Sequence, residues 1–129
     1  MLAVDTNVLV RVFTRDDPGE AARAIRLLRS SPVWVAKTVL LETEWVLRTV
    51  YEFSPDRVLA ALRGLAGLEQ VELEEPLQVA RALAGYEAGL DFADALHLAS
   101  AEDRRFASFD QKLAKRARRA DWTGIVVPP

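Results

Sequence analysis

The chain has 129 residues, half of them apolar and 28% charged, with a net charge of −2 at neutral pH. This length and composition imply one globular domain, residues 1–129, with a sizeable core. The lack of cysteine excludes disulfides and thiolate zinc sites, and a single histidine, His97, excludes sites that need two. No apolar run approaches the ~20 residues that span a bilayer. Asp5 also interrupts the stretch a secretory signal would need. The expectation is a cytoplasmic protein without membrane contact.

Taken in order, Leu2–Val4 is a short apolar run that reads as a buried strand, with Thr6 or Asn7 as the cap of a following helix through Val8–Phe13. Asp5 therefore stands where a strand hands over to a helix. Asp17-Pro18-Gly19-Glu20 is a helix start, with an N-cap, proline at N1 and an acid at N3. Ala21, Ala22, Ile25 and Leu28 mark its inner face, and Ser30-Ser31-Pro32 ends it. Val33–Ala36 reads as a second buried strand.

A long helix is expected from Thr38 to about Phe53. Glu42 lies one turn from Val39, Trp45 and Val46, which puts it on an apolar stripe without a basic neighbour at i±3 or i±4. A buried carboxylate without compensation is costly. Glu44 aligns with Arg48 and reads as a surface pair. Ser54-Pro55 begins a helix through Val58, Leu59, Leu62 and Leu65 to a stop at Gly67.

Gln70–Leu73 is a third strand, and Glu75-Pro76 opens a helix through Val79, Ala80 and Leu83 to Gly89. Asp91 caps another, from Phe92 to about Glu102, with Asp94 at N3. Arg105–Phe109 is a fourth strand, followed by a basic helix to Ala120 and a weak strand, Ile125–Val127. Alternation of strands and helices implies a three-layer α/β/α domain around a central, mostly parallel sheet.

In such a sheet, ligand sites gather at the carboxyl ends of the strands. Asp5 and Asp110 each end a strand, Glu42 sits in the first turns of the helix after the second strand, and Asp94 sits in the first turn of another helix. Each aspartate also has a plain reading as a helix cap or first-turn acid. Converging carboxylates repel one another, and a hard divalent cation removes that conflict. Mg²⁺ or Mn²⁺ held by carboxylates, with water in the open positions, suits phosphoryl chemistry. From Arg104 to Arg119 there are seven basic residues and one acid. Arg104, Arg105, Lys112, Lys115, Arg116 and Arg119 are candidates to meet phosphate groups; the plain alternative is a solvated helix face.

These residues carry a resemblance. Val4-Asp5-Thr6-Asn7-Val8-Leu9-Val10, Leu40-Leu41-Glu42-Thr43-Glu44-Trp45-Val46-Leu47, Phe92-Ala93-Asp94-Ala95-Leu96 and Ser108-Phe109-Asp110 stand in the order of four motifs. Across essentially the whole chain the sequence resembles PIN-domain ribonucleases, especially the toxin half of VapBC-type toxin–antitoxin pairs. The resemblance implies a PIN domain over 1–129 and Asp5, Glu42, Asp94 and Asp110 as catalytic, metal-binding acids. Thr6, Asn7 and Ser108 become polar support, and Asp91 is either a helix cap or an auxiliary ligand. It further implies a Mg²⁺-dependent endoribonuclease with an RNA substrate, a cognate antitoxin and a homodimeric state. Exposed aromatics among Trp34, Trp45, Trp122, Tyr51 and Phe53 would serve those protein contacts. The alternative is a non-catalytic PIN-like module that binds RNA or protein. A phosphorylatable receiver domain would want paired acids after the first strand and a lysine ending a late one, which this chain lacks.

Overall fold

A computed structural model describes residues 1–129 and shows seven helices and five short strands. The architecture is mixed α/β and every strand pairing is parallel, as the alternation of elements implies. By its internal contacts the chain divides into two compact units, Met1–Pro76 and Leu77–Pro129.

The first unit holds β1 (Leu2–Ala3), α1 (Thr6–Thr14), α2 (Pro18–Ser30), β2 (Val33–Val35), α3 (Lys37–Thr49), α4 (Pro55–Ala66) and β3 (Val71–Leu73). Its sheet has the order β1-β2-β3, with Leu2 opposite Val33 and Val35 opposite Leu73. The middle strand is the buried one, Val33 and Val35 being fully inside. The first strand is not buried as expected. Leu2 is 56% exposed, and the buried residue of that run is Val4, just beyond the strand. A strand that pairs along one side only, as β1 does in this sheet, needs less apolar covering than its length of apolar sequence implies.

Asp5, rather than Thr6 or Asn7, is the N-cap of α1: its Oδ1 accepts from the Thr6 N–H at 2.8 Å. The start of α2 follows its sequence signature, with Asp17 Oδ1 accepting from the Glu20 N–H at 3.0 Å and proline at N1. Ser54 likewise accepts from the Arg57 N–H at the start of α4. Helix α3 has no capping side chain of its own. Glu74, just after β3, reaches across so that its Oε1 accepts from the Lys37 N–H at 2.8 Å.

Helix α3 also departs from its expected phase. Its inward residues are Leu40, Thr43, Glu44 and Leu47, while Glu42 is exposed and Trp45 is 55% exposed. The stripe drawn through Val39, Glu42, Trp45 and Val46 is thus one position out of register, and the roles of Glu42 and Glu44 are exchanged. Glu44 is the buried acid at 3% exposure, paired with Arg48 Nε at 2.7 Å. Apolar pattern misled here because the true inner face carries two polar residues that are satisfied locally. Thr43 Oγ1 donates to the Val39 carbonyl at 2.7 Å, and Glu44 has its arginine one turn on. The helix ends at Thr49, short of Phe53, and the chain then turns through Glu52 at φ 57°. Phe53 folds back into the core, its N–H donating to the Leu47 carbonyl at 2.9 Å, with Arg57 over its ring.

The second unit contains most of α5 (Pro76–Glu87), then α6 (Phe92–Ser100), β4 (Phe106–Ala107), α7 (Gln111–Arg119) and β5 (Val126–Val127). Its two strands pair with Phe106 opposite Val126, a separate sheet from the first. Phe92, Val79, Leu98 and Trp122 are buried, and Tyr86 meets Phe92 edge to face at 5.5 Å. Gly89 takes φ 106° and turns the chain between α5 and α6.

Gly85 lies against Trp122, whose indole N–H is buried without a partner. A Cβ on Gly85 would fall 2.6 Å from Trp122 Cζ3 and 3.1 Å from Leu90 Cδ1. Gly85→Ala should therefore destabilise the protein by about 1–3 kcal/mol, the usual range for overpacking, although alanine is the better helix former. Denaturant unfolding of the variant checks this.

Candidate active site

In the first unit the carboxyl ends of β1 and β2 lead into α1 and α3, and this brings Asp5, Thr6, Asn7 and Glu42 to one cleft of about 380 Å³. Thr6 is buried, and its Oγ1 donates to Glu42 Oε1 at 2.5 Å. Asp5 spends one oxygen, Oδ1, on the helix cap. Cap and ligand are thus compatible roles for this residue, since a carboxylate has two oxygens. Asn7 is exposed and lines the same cleft. The cleft is completed by Val10, Arg11, Val46, Val50 and Tyr51, none of which the acid pattern singled out for the site. Two of them had a readable signal: Val46 and Val50 fall one and two turns after Glu42 on the same helix face.

In the second unit Asp110 is the N-cap of α7, its Oδ1 accepting from the N–H groups of Lys112 at 2.9 Å and Leu113 at 3.1 Å. Ser108 Oγ accepts from the Asp110 N–H at 3.0 Å. Asp91 occupies the N-cap position of α6, yet its side chain makes no capping bond. Asp94 follows at N3, partly buried. Burial raises the pKa of the Asp94 carboxyl first of all, and the nearby charges of Asp91 and Asp110 raise it further. His97 and Arg116 act in the opposite direction. Asp91 and Asp110 are therefore both within electrostatic reach of Asp94.

The donor set is all carboxylate oxygen, the chemistry that hard divalent cations take. Within neither unit, however, do three or more His, Asp or Glu side chains gather closely enough to hold a metal ion. The first unit presents two acids and the second a looser group, and each strand-end aspartate is engaged by backbone N–H groups of its own helix. The basic residues Arg104, Arg105, Lys112, Lys115, Arg116 and Arg119 are all exposed, while Leu113 and Ala117 anchor α7 inward. No helix is long and apolar enough to cross a membrane.

In a mixed α/β fold, acids at the carboxyl ends of parallel strands stand where ligand sites gather. Comparison with known families is specific: residues 2–119 match the PIN domain, and the chain belongs to that family. PIN domains are generally metal-dependent nucleases and typically use divalent metals. No curated protein matches the chain.

The raised pKa of Asp94 has a consequence for stability. A carboxyl whose folded pKa lies above its unfolded value contributes stability below the unfolded value. That contribution is lost as pH rises through the folded one. At neutral pH the ionised Asp94 is thus a net cost, and Asp94→Asn should leave the metal-free protein as stable as the parent or more so. Solvent screening holds the gain to ~1 kcal/mol or less. The difference should vanish below pH ~4, where both states are protonated. Thermal melts of both proteins in chelator, from pH 3.5 to 8, measure it. A variant that is less stable at neutral pH would reduce Asp94 to a first-turn acid.

Proposed function

We propose that this protein is a Mg²⁺- or Mn²⁺-dependent endoribonuclease, the cytoplasmic toxin of a type II toxin–antitoxin pair. Asp5 and Glu42 of the first unit and Asp94 and Asp110 of the second are its metal-binding, catalytic acids, with Asp91 as an auxiliary ligand. The observation that carries the reading is the cleft in which Asp5 and Glu42 meet, in a chain that matches the PIN domain over residues 2–119. When bound, the divalent ion supplies Lewis acidity, which activates water and offsets charge in an in-line displacement at phosphorus.

The chain's own residues perform the preparatory work. Thr6 Oγ1 fixes Glu42 Oε1, so one carboxylate oxygen is oriented before substrate arrives. The cap bond does the same for Asp5 Oδ1 and leaves Oδ2 free of it. The Ser108 hydroxyl holds the backbone of Asp110. Asp94 is partly buried beside the charges of Asp91 and Asp110, which raise its pKa in the metal-free protein, a conflict that a bound cation would relieve. The exposed cations of α7 and of the segment before β4 supply the attraction for RNA phosphates that a chain of net charge −2 otherwise lacks. Of the aromatics named for a homodimer or antitoxin surface, Trp45 is exposed and Trp34 and Tyr51 are partly so, while Trp122 and Phe53 are in the core.

Purified protein free of any antitoxin should cleave total RNA with Mg²⁺ or Mn²⁺ and stop in excess chelator. Glu42→Gln and Asp94→Asn should each lower the rate by two orders of magnitude or more, about the loss for a group acting on the transition state. Cleavage indifferent to chelator would overturn the metal-dependent reading. A protein that binds RNA and never cuts it would be the non-catalytic module.

Replacing Arg116 and Arg119 by glutamine should weaken RNA binding across sequences. It should also reduce the slope of log affinity against log salt by about 0.7 for each phosphate no longer neutralised on a single strand. Filter binding over a salt series reads both. An unchanged slope would return this helix to a solvated face.

A further inference from the structure

Part of the cleft that holds Asp5 and Glu42 is lined by residues other than acids. There Tyr51 lines the wall, partly exposed, with Arg11 beside it and Val10, Val46 and Val50 as apolar surface. The Tyr51 hydroxyl donates to Asp16 Oδ2 at 2.7 Å. The same aspartate accepts at Oδ1 from Thr14 Oγ1 at 3.1 Å and from Arg11 Nη1 at 3.4 Å. Arg11 is held in turn by Glu20, its Nε donating to Oε1 at 3.4 Å. Three donors thus converge on one exposed carboxylate, and the first effect of the Tyr51 bond is to lower the Asp16 pKa.

Such a network adds little to stability, because its members are exposed or half-exposed and screened by water. Its structural result is a fixed ring at the edge of the cleft. Arg11 is already offset by two carboxylates, so this part of the cleft is poorly suited to a phosphate. It suits a flat, uncharged, weakly polar group that can lie on an aromatic ring against valine side chains. At about 380 Å³ the cleft is within the size range of small-ligand sites and takes one such group.

We propose that this part of the cleft is a nucleobase subsite in which Tyr51 stacks on the base next to the scissile phosphodiester. The Asp16–Arg11–Thr14 network pre-sets the ring. Tyr51 is then a binding and specificity residue, and a base still stacked in a duplex cannot reach it. The inference rests on the ribonuclease reading above and adds a base-binding residue to it.

The test uses the full chain and a fluorescently labelled single-stranded oligoribonucleotide of mixed sequence, beside the same sequence as a duplex. Affinity is measured in Mg²⁺ in the Asp94→Asn background, and kcat and KM in the otherwise unaltered protein. Affinity should follow the ring rather than side-chain volume. Tyr51→Phe and Tyr51→Trp should stay within about three-fold of tyrosine, and Tyr51→Leu and Tyr51→Ala should bind about ten-fold more weakly, the loss of one base–aromatic stack. The loss should appear in KM more than in kcat, with the salt slope unchanged and the duplex bound weakly by every variant. If Tyr51→Leu behaves as Tyr51→Phe in both affinity and KM, or the duplex binds as well as the single strand, the subsite is overturned while the nuclease stands. A protein that neither binds nor cleaves RNA overturns the ribonuclease reading and the subsite with it.

Discussion

A buried hydroxyl ties the first unit's functional half together. Thr6 is inside the protein at the first turn of α1, where an unsatisfied O–H would cost a full desolvation penalty. Its partner is Glu42, which comes from α3, 36 residues away in sequence, at 2.5 Å. That bond constrains how α1 and α3 can meet. It also keeps a carboxylate that is exposed, and otherwise free to wander, aimed at the carboxyl end of the sheet. Glu74 adds a second such tie, from the end of β3 to the first N–H of α3. Between them, the three strand ends of this sheet are joined by side-chain-to-helix bonds rather than by apolar contact alone.

The candidate aspartates show how a group can serve structure and still keep an oxygen available. Asp5 and Asp110 are helix caps in the strict geometric sense, accepting backbone N–H bonds at Oδ1. Capping is worth about 1 kcal/mol, and it also sets the rotamer of the carboxylate at the mouth of a strand. Asp91 is the instructive contrast: it holds the cap position without the capping bond. Beside it, Asp94 has its pKa raised by burial and by both neighbouring aspartates.

Much was legible along the chain. The elements and their parallel pairing followed from apolar runs, proline-led helix starts and connection lengths. The caps Asp17 and Ser54 were readable because capping is a local interaction over three residues. The acid motifs were visible as residue types at strand ends. The cap of α1 was one residue off, since Asp5, Thr6 and Asn7 all cap well and only backbone geometry chooses among them.

What the residues determined by themselves, then, was the class of fold, the order of its elements and the identity of the candidate acids, all of which depend on short-range periodicity and on chemistry carried by single side chains. Tertiary structure alone decided which of two acids on α3 is buried. Glu44 lies inside because Arg48 satisfies it, and Glu42 lies outside, where Thr6 holds it. It also decided that β1 is exposed, that Glu74 caps a helix it does not belong to, and that Tyr51 stands in the cleft with Asp5 and Glu42. The Thr6–Glu42 bond, the Glu74 cap and the place of Tyr51 beside Asp5 each depend on a partner tens of residues away, and no local pattern encodes the distance between residues that meet only after the chain has folded.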